Sequence, residues 1–370
     1  MGKIRTRNLG ILAAFLLLDT LACFCLFPDI FYERLPFLAE LAPAATPAPT
    51  EIPATASPVS LTLDGSETAD EILALSSLPS LREIDATQSR EYEALLSLRE
   101  LLPDCSIRWS CRFDGRSWPS DTRSLTVHSL DGLAELLCYL PALESVDLTG
   151  TDASLSDLEQ LDAVRPDVFY LWDFEFNGQR IRTDVEVFST RRDGMHHRFT
   201  DEELYPLLKY CRRLKALDLS HNALHDVSLI GEMADLEILV LADNLITDAT
   251  PLRFCTKLTH LELQMNRGIR DFSFLPRLAA LRELNVCYDP WCVNLDFLEN
   301  MPDFAFGMFK FTDVDSDDYS AWADKRPDAR LVYWSDDTDS NGNGWRDWPR
   351  NRAIRELFAD WQAHPVYPGL

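Results

Sequence analysis

The sequence predicts an α/β solenoid: short parallel strands stacked into one sheet on a concave face, backed by helices and loops. Enlarged repeats open the stack, a cap closes it, and a single N-terminal membrane helix precedes it. Three observations carry this reading. Leucines recur every 22 residues between Leu214 and Asp289, and a longer period near 63 runs through the first half. The third is composition: 370 residues that are 46% hydrophobic and 11% aromatic can bury a sizeable core and are too apolar for a disordered chain.

Three blocks align: Leu214 to Asn222, Leu236 to Asn244 and Leu258 to Asn266, with a fourth, Leu281 to Asp289, one residue further on. Within each, a Leu-x-Leu alternation, such as Leu217 and Leu219, turns two leucines to one side of a short strand. Asn222, Asn244 and Asn266 then mark turns, because an Asn side chain can satisfy backbone groups where the chain leaves the strand. Asp226, Asp248 and Asp271 follow at matching places. One such unit cannot bury its own core, so the units must stack. The pattern L-x-x-L-x-L-x-x-N-x-L resembles the leucine-rich repeat, in the 22-residue class of internalin-like bacterial surface proteins. That resemblance covers about Leu61 to Met301, most closely Leu214 to Asp289. It implies a non-catalytic protein that recognises another macromolecule, on a host or bacterial surface, through its concave sheet.

In the first half, Pro103-Asp104 recurs as Pro166-Asp167, Trp109 as Trp172, Phe113 as Phe176 and Gly115 as Gly178. Each unit reads as a strand (Leu81 to Ala86; Leu143 to Leu148), a helix (Tyr92 to Leu102; Leu155 to Val164) and a strand pair around a glycine turn. These are divergent, enlarged repeats of the same stack. A third helix starts near Thr200 or Asp201, either of which suits an N-cap.

The N-terminus sets the expected compartment. Lys3, Arg5 and Arg7 precede an apolar run from Leu9 to Phe27, interrupted by Asp19 and Thr20. As a helix that run spans roughly 28 Å, close to a bilayer's hydrocarbon thickness. An uncleaved signal anchor with the C-terminal body outside the cell is the first reading. A cleaved signal peptide and lipidation at Cys23 are the alternatives. Pro43 to Pro58 follows as a proline-rich spacer. The expected layout is a cytoplasmic end (1–8), anchor (9–27), linker (28–58), enlarged repeats (59–187), leucine-rich repeats (188–301) and an acidic, tryptophan-rich cap (302–370).

A net charge of −25 argues against nucleic acid as a partner, since phosphate recognition draws on clustered Lys and Arg. No catalytic motif is recognisable, so no enzyme and no cofactor are expected. Asp337-x-Asp339-x-Asn341-Gly342 opens like a calcium loop, but Trp348 stands where a bidentate Glu is required, and a polar turn is the better reading. Cys211 and Cys255 occupy equivalent repeat positions and read as buried thiols, while Cys105 with Cys111, or Cys287 with Cys292, could form disulfides. His221 and His225 share no demand with the next repeat, so no metal site is expected. Six of the nine Trp lie after residue 290. Helix 351–362, with Ile354, Leu357, Phe358 and Trp361 on one face, suits the end cap.

What remains is the concave face, where strand residues pointing away from the core supply Asp147, Asp218, Ser220, His260, Glu262, Gln264, Glu283 and Asn285. These are the expected ligand-binding residues, solvent-facing and mixed polar and acidic. A glycan-binding alternative would use the tail aromatics Trp291, Trp334, Trp345 and Trp348 as sugar platforms. A purely structural envelope role is the third possibility.

Overall fold

The computed structural model describes residues 59–78, 80–191, 197–334, 339–342 and 344–370. The signal anchor and linker expected within residues 1–58 lie outside the described residues. Among the described residues no helix is long and apolar enough to cross a membrane. The chain divides into two compact units.

The first unit contains a parallel sheet, β1 (Val59–Thr62), β2 (Leu81–Asp85) and β3 (Ser106–Arg108), with helices α1 (Ala69–Ala74) and α2 (Tyr92–Leu101). Thr68 and Glu71 form a capping box that starts α1, satisfying two backbone donors at once. Leu81, Ile84, Ile72, Leu95 and Leu98 are buried together as its core.

The second unit opens with β6 (Ser124–Thr126), β7 (Ser145–Asp147) and β8 (Phe169–Leu171), parallel to one another, and with α3 (Leu133–Cys138) and α4 (Leu155–Val164). A hairpin follows the third strand of each sheet: β4 (Ser110–Phe113) with β5 (Arg116–Pro119), and β9 (Asp173–Phe176) with β10 (Gln179–Arg182). Asp114-Gly115 and Asn177-Gly178 make the two turns, all four residues with positive φ as tight hairpins require. The recurrence near 63 residues is therefore a strand, a helix, a strand and a hairpin.

The rest of the second unit is one seven-stranded parallel sheet in sequence order. Its strands are β11 (Val187–Ser189), β12 (Ala216–Asp218), β13 (Ile238–Val240), β14 (His260–Glu262), β15 (Glu283–Asn285), β16 (Phe306–Met308) and β17 (Arg330–Val332). Leu217, Leu239, Leu261 and Leu284 are in register and fully buried on the inward side. Helix α5 (Asp201–Leu208), capped by a Thr200–Glu203 box, the turn α6 (Ser228–Gly231) and short 3-10 turns return the chain behind the sheet. Two strands lie beyond the last legible repeat. In β16 the inward position is Gly307, because a Cβ there would meet the Phe309 ring at 2.3 Å. Helix α7 (Ser316–Lys325) then leads into β17.

Asparagine holds the turns as expected. The Asn244 Nδ2 donates to Leu219 O and Leu241 O at 2.9 Å each, and its Oδ1 accepts from Leu224 N at 3.2 Å. Asn266 repeats this one coil later with Leu241, Leu263 and Ile246. Two Arg-Pro-Asp sequences staple other loops. The Arg165 guanidinium donates to Leu137 O, Leu140 O and Leu143 O and pairs with Asp167. Arg326 does the same with Met301 O, Pro302 O, Phe304 O and Asp328. Each charge thus satisfies carbonyls that a loop leaves open.

Helix α8 (Pro349–Ala359) does not cap the end of the stack, as its apolar face suggests. It packs near the opposite edge, where Trp361 just beyond it meets the Phe188 ring of β11 at 5.0 Å. The Pro365 carbonyl accepts from Glu186 N and Val187 N, and the Glu186 carboxylate accepts from Tyr367 N. In neighbouring coils the same amide pairs donate to the preceding strand, as Lys215 and Ala216 do to Glu186 O. The C-terminal segment therefore supplies the carbonyl for the sheet's first edge.

Candidate functional site

The side chains expected to face solvent from β12 to β15 are covered. His260, Asn285 and Glu283 are no more than 1% exposed, Gln264 2%, Asp218 4%, Glu262 6% and Ser220 8%. The concave surface is not open as the sequence suggests: residues 339–342 and 344–370 fold back across it.

The chemistry of these strands explains why a cover is needed. His260 lies between two carboxylates, its Nδ1 2.7 Å from Glu283 Oε2 and its Nε2 3.1 Å from Glu262 Oε1. Only the doubly protonated ring offers a donor to each. Burial opposes that charge, yet the bonds and fields of Glu262 and Glu283 outweigh it and hold the imidazole above its usual value. Burial likewise opposes the Glu262 carboxylate, but His260 and the Gln264 amide bring it down to about 2. A charged cluster excluded from water is costly unless every partner is supplied.

The tail supplies them. Trp345 lies over the imidazole with ring centroids 5.5 Å apart, and its Nε1 donates to Glu262 Oε1 at 3.2 Å. Arg350 Nη1 donates to Glu283 Oε2 at 3.1 Å and also bonds Thr259. Asn285 Nδ2 donates to Ser340 O at 2.9 Å, and the buried Lys310 ammonium donates to Asp339 O. Cys287, Phe306, Met308 and Trp345 form a dry cluster beneath the same segment. Ser340 and Arg350 belong to no local pattern that marks them as partners of the sheet, and the sequence offers Trp345 only as a sugar platform. The one available signal was the run of ionisable residues on β14 and β15, which called for partners.

Asp147 does not join this group. It sits half-buried on β7 in another sheet, where its Oδ1 accepts from the Thr149 amide at 2.9 Å and hydroxyl at 2.6 Å. Asp218 binds Ser220 and Asp85 binds Thr87 the same way, so these strand-end acids fasten the chain's exit from the strand. Asp218 is also buried, which raises its carboxyl despite the Ser220 bonds.

The sugar-platform reading is corrected for Trp345, which is fully buried, and Trp348 packs on Phe306 at 5.2 Å. Trp334 and Trp291 remain 77% and 47% exposed. The seven described cysteines are free, so neither possible bridge is formed, and Cys211 and Cys255 are buried as the repeat positions imply. His197, His221 and His225 each pair with one acid, Glu203, Asp243 and Asp201. Among the described residues no cluster of His, Cys, Asp and Glu could hold a metal. Asp337 lies outside them, while Asp339 Oδ1 accepts from Asn341 N at 2.9 Å in a polar turn.

Along the edge where the chain leaves the strands, His221 and Phe311 are exposed and Asp243, Met265 and Tyr288 are half-buried. His221, Asp243, Met265, Tyr288 and Phe311 all adopt left-handed backbone there, one per coil. Tyr288 and Phe311 stack at 4.4 Å, with Arg267 5.7 Å over Tyr288 and Arg270 5.1 Å over Trp291.

Residues 210–231 match the family model described as Leucine Rich repeat. This stretch is a leucine-rich repeat. It runs from the end of α5 through β12 and Asn222, so the match falls on a coil whose Asn bonds the turn. Among curated proteins, the Mus musculus cilia- and flagella-associated protein 410 is 29% identical over 97 residues, 24% of this chain and 39% of that protein. The chain thus spans about two-fifths of that relative's length. Among solved structures, an internalin from Listeria monocytogenes is 17% identical, covering 72% of this chain and 71% of its own, with a TM-score of 0.33. A leucine-rich repeat protein of Leptospira interrogans is 12% identical, covering 70% and 74%, with a TM-score of 0.32.

Proposed function

We propose that this leucine-rich repeat protein is a non-catalytic recognition protein that binds a protein partner through its turn edge. The observation that carries this reading is the pair of aromatic–arginine contacts there, with Phe311, Trp291, Arg267 and Arg270 exposed and Tyr288 half-buried beneath Phe311 and Arg267. Aromatic and arginine side chains are the residues that dominate binding energy at protein interfaces. The outward sheet face does not serve a protein partner, because the tail covers most of it. Residues 9–27 would anchor the chain in the cell membrane, with the repeat body displayed on the extracellular side of a bacterium.

The test is affinity capture with the intact chain from surface extracts, comparing wild type with Arg267→Glu, Phe311→Ala and with Trp334→Ala. Proteins kept by wild type and Trp334→Ala but lost by the edge variant support the reading. Wall glycan retained by the edge variant and lost by Trp334→Ala overturns it in favour of sugar binding. Equal retention by all three leaves a structural envelope role.

A further inference from the structure

The tail does not close the outward face completely. Between α8 and the outward side of β12 to β14 lies a cleft of about 590 Å³, lined by Asp218, Gln264, Arg355, Phe358, Arg191 and Arg346. Small-molecule sites have volumes of roughly 300–1,000 Å³ with apolar walls and a few convergent polar groups.

The polar inventory of this cleft does not balance. Gln264 donates from Nε2 to Glu262 Oε2 at 2.7 Å and to Asn341 Oδ1 at 3.3 Å, which leaves its Oε1 buried with no donor. Flipping the amide would set Oε1 against the ionised Glu262, so the orientation is fixed. On the facing helix, Arg355 Nε is buried with no acceptor. Among the described residues no carboxylate lies within ion-pair distance of Arg355 or Arg191, which act on Glu262 and Asp218 only from further off, and Arg346 meets Asp339 at 3.8 Å. Asp218 Oδ1 is taken by Ser220, and its Oδ2 has only a long 3.3 Å contact with the Ser189 hydroxyl.

A ligand that settles these groups carries an anion for the guanidiniums and a cationic donor for the opposite wall. A dianion such as phosphate would meet the carboxylates of Asp218 and Glu262, and a simple cation would meet three arginines. The geometry points to a binding site for a small zwitterion, a free α-amino acid or dipeptide, with its carboxylate on Arg355 and its ammonium towards Gln264 and Asp218. The Phe358 ring supplies an apolar wall for its side chain. This site lies on the outward face and not on the turn edge, so it stands or falls independently of the partner surface.

Titration calorimetry of the intact chain with alanyl-alanine, its N-acetyl form and its C-terminal amide tests this. Binding with a dissociation constant below about 1 mM is expected, with each blocked form weaker by about tenfold or more. Arg355→Met and the exposed-site variant Arg191→Met should each weaken the dipeptide, with the unliganded unfolding midpoint checking that each variant folds. No binding at 10-fold excess over that constant overturns the assignment. So does equal affinity for the blocked forms, or unchanged affinity in both folded variants.

Discussion

Trp345 lies over the His260 imidazole at a centroid distance of 5.5 Å and donates its indole N–H to the Glu262 carboxylate on the imidazole's flank. One tail residue therefore both shields a buried cation and bonds its counter-ion. The sheet face and the tail are parts of one core: without the tail, His260, Glu262 and Glu283 would face water on β14 and β15.

Replacing Trp345 separates these two contributions. Trp345→Ala should cost about 3–5 kcal/mol, the usual penalty for emptying a buried aromatic site. Trp345→Phe keeps most of the packing and loses chiefly one hydrogen bond to a charged group, about 1.5–3 kcal/mol. Urea midpoints that rank wild type above Phe above Ala are expected. A Trp345→Ala midpoint equal to wild type would show that the tail does not seal this face.

The Arg350–Glu283 pair makes a sharper case. Glu283 is 1% exposed, and Arg350 brings it the charge that the strands themselves do not fully supply. Arg350→Met should destabilise by about 2–5 kcal/mol, because a buried carboxylate loses a partner. Adding Glu283→Gln should recover part of that loss, read as a positive coupling in a double-mutant cycle.

Asp289 stands where the ladder has Asn222, Asn244 and Asn266. It is fully buried, neither carboxylate oxygen has a donor at bonding geometry, and burial pushes its carboxyl up to about 8. The Asn266 amide and the Arg267 charge offset that only in part. A raised acid keeps its proton longer in the folded state. Its penalty is absent below the unfolded value near 4 and grows as pH rises towards 8, at about 1.4 kcal/mol per unit. Asp289→Asn should therefore stabilise the protein at pH 7 and flatten the decline between pH 4 and 8. Glu262 acts in the other direction. Held at about 2, it contributes stability that is present above its unfolded value near 4.3 and lost as pH falls towards 2. Thermal midpoints of wild type and Asp289→Asn across pH 2 to 9 check both arms.

The cysteines give a fold test that needs no substitution. Cys255, Cys287 and Cys292 are buried, and burial holds each thiol at about 12, so their thiolates are scarce at neutral pH. Cys138 is the exposed one among the seven described. Iodoacetamide labelling at pH 8 followed by peptide mapping should modify Cys138 first, and the others only after denaturation.

The repeat stack was legible because its signals are local. Leu217, Leu239 and Leu261 declare the inward face, and each Asn fastens its turn within a few residues. The strand at Phe306 escaped because Gly307 replaces the inward leucine, its volume taken by the Phe309 ring. The covered face escaped for a different reason. Glu262 meets Trp345 across 83 residues, Thr259 meets Arg350 across 91 and Glu186 meets Tyr367 across 181. No periodicity encodes contacts of that range. Outward strand positions look alike whether solvent or a returning chain covers them, so the pattern puts His260 and Glu283 on that face and carries no sign that it is covered.

The central claim is that the C-terminal tail, residues 339–342 and 344–370, covers the outward face of the sheet. Hydroxyl-radical footprinting of the intact native chain tests it in one experiment, since tryptophan and histidine label in proportion to exposure. Trp334 and Trp291 should label readily, while Trp345 and His260 stay protected until the protein unfolds. Trp345 and His260 labelling in the native state as fast as Trp334 would contradict the account.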